Sequence, residues 1–128
     1  MAATVFLAIQ ALVFIPYGLY CLIQPEALAG AAGVAANSLT GEIELRTMYG
    51  GLQTAIGIFC ALAVLRPALR VPAMLTLCVI FAGLAAVRVP LGVMQGDFSG
   101  YTLFAMGFEV FCVAYTAWWL RGNAQPAG

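Results

Sequence analysis

Residues 71–94 read VPAMLTLCVIFAGLAAVRVPLGVM, an apolar stretch in which Arg88 is the only charged residue. A helix of about 20 apolar residues crosses the roughly 30 Å hydrocarbon core of a bilayer, so this stretch predicts a membrane-spanning helix. A charge inside lipid costs about 2.5–3.5 kcal/mol on insertion scales, and such residues are usually paired and often functional. The stretch therefore predicts a membrane fold and also marks a position where a functional site is expected.

Further apolar runs of similar length lie on both sides of this stretch, at residues 3–23, 43–65 and 102–120. Polar or helix-breaking segments separate them, and Thr40 is a predicted N-cap of the second run. Consecutive spans must alternate in direction. We therefore predict an all-α, integral membrane four-helix bundle with up-down-up-down topology, formed as a single domain over residues 1–128, with a short frayed tail after the last span.

Composition supports a membrane protein and excludes several kinds of site. The 128 residues are 64% hydrophobic and 8% charged, whereas soluble domains are about 45–50% apolar and about 25% charged. The formal net charge is zero and there is neither lysine nor histidine, so we expect no nucleic-acid partner, no imidazole base and no histidine-ligated metal. We predict no cofactor, and we interpret the four cysteines, which form no CxxC pair, as small buried hydrophobic residues.

The distribution of charge predicts an orientation. Arg66, Arg70 and Arg121 lie on the same side as both termini, whereas acidic residues occupy the loops on the opposite side. By the positive-inside rule both termini are predicted to face the cytoplasm. Arg46 and Arg88 are left out of this count because we interpret them as embedded in the membrane.

Three embedded charges are predicted to lie at a similar depth. Arg88 near the end of the third span and Glu109 in the fourth both lie roughly 9–12 Å below the outer face, from a rise of 1.5 Å per residue. Arg46 enters the second span from the same face, and an arginine side chain can extend along apolar surface. We therefore predict an outer-side polar pocket lined by Arg46, Arg88 and Glu109, with four further residues nearby: Glu44, Tyr49, Gln53 and Gln95.

The periodicity of small and polar residues supports this inward orientation. In the fourth span Thr102, Ala105, Glu109, Cys112 and Thr116 recur at steps of three and four, which places them on one helix face. An Arg88–Glu109 pair has two possible roles. It either fixes the register of two helices, or it belongs to a site that binds an anionic group or exchanges a proton.

The motif E-x-R-x-x-Y-G-G, formed by Glu44, Arg46, Tyr49, Gly50 and Gly51, resembles a bacterial family of small four-helix membrane proteins known as a domain of unknown function. The resemblance covers nearly the whole chain. The family it points to is similar in architecture to the DoxX-like proteins, some of which are associated with quinone-linked oxidation. It implies a multi-pass protein of the bacterial inner membrane and supplies no established activity.

Three functions remain open. The first is binding of a small amphipathic or anionic molecule, such as a lipid, a fatty acid or a quinone-like compound, in the outer-side pocket, with a role as an accessory subunit. The second is a small proton-coupled transporter with Glu109 as the proton site. The third is a membrane isomerase or redox subunit, although no catalytic motif supports an enzyme. A homo-oligomer or a membrane-protein partner is compatible with the glycine and alanine faces.

Overall fold

The computed structural model describes residues 1–123, and the predicted frayed tail lies outside these residues from position 124 onward. The described residues form helices and no strand. In chain order the elements are α1 (Ala2–Ile23), α2 (Ala27–Ala32), α3 (Leu39–Leu45), a π-helical segment (Arg46–Gly51), α4 (Leu52–Leu65), a 3₁₀ turn (Pro67–Leu69), α5 (Arg70–Gln95) and α6 (Gly100–Asn123).

The predicted all-α membrane class is confirmed. Four helical stretches are long and apolar enough to cross a membrane, and they agree with the four predicted spans to within a few residues: Ala2–Ile23, Leu39–Leu65, Pro67–Gln95 and Gly100–Asn123. The chain divides into two compact units, the first from Met1 to Arg70 and the second from Val71 onward. The prediction that these residues act as one domain remains a prediction.

The second span begins earlier than predicted. The Oγ of Ser38, which has extended backbone angles, accepts a hydrogen bond from the backbone N–H of Gly41 at 3.1 Å and so caps α3. The predicted N-cap at Thr40 is therefore wrong, because Thr40 already lies inside the first turn. An oxygen at this position satisfies one of the N–H groups that the first helical turn leaves unpaired.

In the first unit, α1 packs antiparallel against the second span through glycines. A Cβ atom on Gly18 would lie 2.6 Å from the backbone N of Thr54 and 2.8 Å from the backbone O of Gly50. A Cβ on Gly57 would lie 2.8 Å from the backbone N of Ile15. Only a residue without a side chain allows two backbones to approach so closely, as is common between membrane helices.

In the second unit, α5 and α6 form an antiparallel helical hairpin. The rings of Phe81 and Phe108 meet edge to face with centroids 5.5 Å apart, and Gly92 gives space to the end of the Met106 side chain. The buried residues of α6 are members of the stripe predicted from periodicity: Thr102, Glu109, Cys112 and Thr116.

The turn between α5 and α6 ends the first of these helices with a Schellman motif. Gly96 adopts a left-handed conformation with φ of +69°, and its N–H donates to the carbonyl of Val93 at 3.3 Å. The N–H of Asp97 donates to the carbonyl of Gly92 at 3.0 Å. These two bonds satisfy carbonyls that the helix end would otherwise leave unpaired, and they fix the position of Asp97 relative to α5.

Candidate functional site

An ion pair between α5 and α6 lies at the centre of the second unit. The Nε of Arg88 donates a hydrogen bond to Oε1 of Glu109 at 2.8 Å. The Glu109 side chain is 5% exposed, whereas that of Arg88 is 32% exposed. The pair therefore has a buried acidic side and an open basic side.

Both members of this pair retain unused hydrogen-bonding groups. A guanidinium carries five N–H donors, and the Nη groups of Arg88 donate no hydrogen bond to any residue among positions 1–123. Within the same range, Oε2 of Glu109 is buried without a hydrogen-bond partner. A pair that served only to join two helices would be expected to satisfy more of these groups, because unpaired buried polar atoms are costly.

A cavity of about 430 Å³ adjoins the open side of Arg88. Its wall combines the apolar side chains of Leu84, Val87 and Leu91 with polar residues from the end of α5 and the start of α6. These polar residues are Arg88, Gln95, Asp97 and Thr102. The wall suits a molecule that has an apolar part and a charged part.

Asp97 is held in place by the first turn of α6. Its Oδ2 accepts from Oγ1 of Thr102 at 2.6 Å, and its Oδ1 accepts from the backbone N–H of Ser99 at 3.1 Å. Hydrogen bonds lower the pKa of Asp97 below its ordinary value. The largest contribution comes from Thr102, followed by Ser99. Asp97 therefore carries a negative charge at neutral pH.

Arg46 is engaged differently. Its Nε and Nη2 donate to Oε1 of Glu42 at 3.0 and 2.8 Å, one helical turn earlier. Its Nη1 donates to the backbone carbonyl of Leu22 in the last turn of α1. A cation that binds the terminal carbonyls of a helix also interacts favourably with the negative end of the helix dipole. Arg46 therefore joins α1 to the second span.

The motif around Arg46 coincides with the π-helical segment. The N–H of Leu52 donates to the carbonyl of Thr47, five residues earlier, as π-helical hydrogen bonding requires. Such segments are rare and are frequently found at functional sites. Here the wider turn lies where Arg46 and Gly50 contact α1, since the Cβ of an alanine at Gly50 would clash with Leu22.

The other predicted residues are divided between the units. Tyr49 and Gln53 are half-buried, Glu44 is exposed, and all three belong to the first unit together with Arg46. Oε1 of Gln53 is buried and has no hydrogen-bond partner within residues 1–123. Gln95 is exposed and lines the cavity of the second unit. The structure thus brings together Arg88 and Glu109, and places Gln95 on the same cavity as Arg88.

A second cavity, of about 240 Å³, lies in the first unit between α2 and α3. Glu26 and Glu42 line it together with small apolar residues. Glu42 forms an ion pair with Arg46, so the charge of one of these two carboxylates is offset by an arginine. Among the described residues no group of three histidine, cysteine or acidic side chains is placed to hold a metal ion.

Sequence reasoning missed two polar residues of the larger cavity, Asp97 and Thr102, as well as its apolar wall. Asp97 was interpreted only as an acidic loop residue, and Thr102 only as part of the α6 stripe. A signal for both was present in the segment GDFSGYT, residues 96–102, because Asp, Ser and Thr near a helix start commonly hydrogen-bond to each other and to the backbone.

Comparison with curated proteins and with solved structures finds no match to this chain. A family model does match, and it covers residues 2–120, nearly all of the chain. This chain therefore belongs to the family defined by a domain of unknown function, DUF4345.

Proposed function

We propose that this protein binds an amphipathic molecule whose head contains an anionic group, such as a phosphate or a carboxylate, in the cavity beside Arg88. The observation that carries the proposal is the state of Arg88, which lines the cavity and is anchored through Nε by Glu109, while its Nη groups donate no hydrogen bond to residues 1–123. Free guanidinium donors in a fixed orientation suit a phosphate or a carboxylate, which can accept two parallel hydrogen bonds.

The buried side of the pair supports the same function. Because Glu109 holds the guanidinium at Nε, Arg88 loses little conformational freedom when a ligand arrives. A preorganised group contributes more to affinity, since the entropic cost of ordering has already been met in the free protein. Glu109 is thus a positioning residue for Arg88.

The wall of the cavity supports an apolar tail on the ligand. Leu84, Val87 and Leu91 follow one another at steps of three and four along α5, so they form one strip on the same helix as Arg88. Lipids, fatty acids and quinone-like compounds have such tails. Burial of a tail contributes about 25 cal/mol per Å² of apolar surface in water, and in a bilayer this contribution is much smaller, so selectivity would depend on the head group.

The proposed location is the bacterial inner membrane, with both termini in the cytoplasm and the α5–α6 turn on the outer side. The basic residues Arg70, at the start of α5, and Arg121, in the last turn of α6, support this orientation. We also propose that the protein acts as an accessory subunit or homo-oligomer of DoxX-like architecture, as the motif resemblance implies. The binding of a ligand by Arg46, Glu44, Tyr49 and Gln53 stays a prediction, because these residues belong to the first unit and do not line the cavity beside Arg88.

Native mass spectrometry of the detergent-solubilised protein tests the binding function. Phosphatidylglycerol would be added to the wild type and to Arg88→Gln/Glu109→Gln, a double variant that removes both charges and leaves no buried charge unpaired. We expect the wild type to retain the lipid about tenfold more strongly, as loss of a charge-assisted hydrogen bond predicts. Arg121→Gln, which removes an exposed arginine outside the cavity, is the matched control.

Equal retention by the wild type and the double variant, with both folded by circular dichroism, would remove the binding function. A loss of retention in Arg121→Gln of the same size would show that the effect is not specific to the cavity beside Arg88. The single variant Glu109→Gln adds a further check, because it leaves Arg88 in place and should still retain the lipid.

A second candidate function is proton-coupled transport with Glu109 as the proton site. The unpartnered Oε2 atom of this buried carboxyl favours it, since a proton on that atom would remove the charge there. Uptake driven by a pH gradient in proteoliposomes tests this function with Glu109→Gln beside the wild type. Flux that is unchanged in the variant, or absent from both, would rule it out.

A further inference from the structure

The cavity beside Arg88 carries charges of opposite sign at different positions along α5. Arg88 lies within the helix, and Asp97 follows its C-terminus, where its N–H donates to the carbonyl of Gly92, about one helical turn beyond Arg88. Both line the same cavity, and within the described residues they do not form an ion pair with each other. Each charge therefore remains available to a ligand.

The end of the cavity near Asp97 is negative because the carboxylate is held there by Thr102 and Ser99. The dipoles of the two helices oppose each other at this turn, since Asp97 follows the C-terminus of α5 and precedes the N-terminus of α6. A cation is favoured at this end, whereas an anion is favoured at Arg88.

The sum of charges distinguishes between classes of ligand. Glu109, Arg88 and Asp97 together carry a net charge of −1 when all three are ionised. A ligand with a single negative charge would bring the net charge of the site to −2, and repulsion from Asp97 would oppose its binding. A purely cationic ligand would pair with Asp97 and leave the Nη donors of Arg88 without an acceptor.

We infer that the ligand is a zwitterionic amphiphile with a primary ammonium group, of the phosphatidylethanolamine type. Its phosphate would accept hydrogen bonds from the Nη groups of Arg88, and its ammonium group would donate to Asp97. Along the site the charges would then alternate in sign from Glu109 through the ligand to Asp97. This inference rests on the proposed function, because it assigns a head group to the same site.

The order of the charges agrees with the order of groups in such a lipid. In a phosphatidylethanolamine molecule the phosphate lies nearer to the acyl chains and the ammonium group lies further out. In the cavity Arg88 lies within the span and Asp97 lies beyond its end, at residue 97 in the turn between α5 and α6. The apolar strip of α5 would contact the start of the acyl chains.

Competition between two lipids tests this inference. Phosphatidylethanolamine and phosphatidylglycerol with the same acyl chains would be offered together to the wild type and to Asp97→Asn, with retention measured by native mass spectrometry. We expect a preference for phosphatidylethanolamine of about tenfold in the wild type and none in Asp97→Asn, from the loss of one charge-assisted contact. Glu26→Gln, which removes an acidic residue of the first unit, should keep the preference.

The outcomes separate the two proposals. If the wild type retains neither lipid, both the binding function and the zwitterion are wrong. If it retains phosphatidylglycerol as strongly as phosphatidylethanolamine, and still requires Arg88, only the zwitterion is wrong. A preference that survives in a folded Asp97→Asn variant also overturns the zwitterion, and so does retention of a simple alkylammonium ion in place of the lipid. Asp97→Glu, which keeps the charge, should restore the preference.

Discussion

The two arginines that the sequence predicts to be embedded in the membrane have different structural roles. All three nitrogens of the Arg46 guanidinium donate to the first unit itself, to Glu42 and to the end of α1. Arg88 uses one nitrogen to bind Glu109 and presents the rest beside a cavity. A charged side chain inside the membrane therefore marks a candidate binding site only when some of its hydrogen-bond donors or acceptors have no partner in its own chain.

The same contrast separates the glycines of the two units. In the first unit Gly18 and Gly57 lie where the backbones of α1 and the second span nearly touch. In the second unit a Cβ on Gly92 would clash only with the end of the flexible Met106 side chain, and Gly83 and Gly107 have no atom within 4 Å of the position of a Cβ. The first unit therefore brings two backbones together at Gly18 and Gly57, whereas these glycines of the second unit do not, and substitutions can test the difference directly.

The largest expected effect is a loss of stability in Gly18→Ala. Its Cβ would lie within 2.8 Å of backbone atoms of Thr54 and Gly50, which cannot move without shifting the helix. Overpacking of this kind costs about 1–3 kcal/mol, and rigid backbone neighbours place Gly18→Ala at the upper end. Denaturant titration in detergent, followed by circular dichroism, measures the change.

The matched control is Gly107→Ala in α6, where a methyl group meets open space. Because alanine is a better helix former than glycine by about 1 kcal/mol, this change should leave stability equal or slightly higher. Equal losses in the free energy of unfolding for Gly18→Ala and Gly107→Ala would contradict the difference in packing between the two units.

A smaller loss of stability is expected for Arg46→Ala. The substitution removes the hydrogen bond to the carbonyl of Leu22 at the end of α1 and the pair with Glu42. Both side chains of that pair are more than a third exposed, so solvent screening limits their contribution, and we expect a total loss of about 1–2 kcal/mol.

Lipid retention by Arg46→Ala should stay close to that of the wild type when both proteins are compared by native mass spectrometry below their unfolding temperatures. A folded Arg46→Ala variant that loses lipid as strongly as the Arg88 double variant would contradict the assigned difference.

Much of the fold could be predicted from sequence because apolar length and helical period leave few alternatives in a membrane. The buried face of α6 follows from the spacing of Thr102, Glu109, Cys112 and Thr116 alone. The pairing of Arg88 with Glu109 follows from their similar depth in consecutive antiparallel spans. Neither prediction needs a tertiary contact that is distant along the chain.

The parts that could not be predicted depend on such contacts or on small backbone adjustments. The partner of Arg46 in α1 is a backbone carbonyl, which carries no residue-specific signal. The π-helical segment depends on how Gly50 meets Leu22 across two helices. Glu42 lies four residues before Arg46, a spacing that indicates an ion pair within one helix. No acid lies at that spacing around Arg88, which indicates a partner on another helix.

The variant Glu109→Gln tests the difference between Arg88 and Arg46 in lipid binding while both arginines stay in place. An amide oxygen can still accept the hydrogen bond from Nε of Arg88, so the guanidinium keeps its position. The neutral residue no longer offsets the charge of Arg88, and we therefore expect affinity for phosphatidylglycerol to rise severalfold, up to about tenfold. Lipid titration by native mass spectrometry measures the change, with Glu42→Gln as the control beside Arg46. A fall in affinity for Glu109→Gln would mean that the carboxylate itself contributes to binding.

The smallest expected effect concerns the charge of Asp97. Its pKa in the folded protein is lowered mainly by the hydrogen bond from Thr102, so the group stabilises the fold above its ordinary pKa of about 3.9 and loses that contribution as pH falls through the lower folded value. Thr102→Val removes the main cause and should move the titration midpoint of Asp97 upward, toward the ordinary value. Carboxyl-carbon NMR of selectively labelled protein measures the midpoint, and Thr47→Val, whose hydroxyl donates to a backbone carbonyl, is the control. An unchanged midpoint in Thr102→Val would mean that the pKa of Asp97 does not depend on Thr102. If the midpoint does rise, the start of α6 sets the pKa of Asp97 at the end of the cavity, as Glu109 sets the position of Arg88 deeper in the same unit.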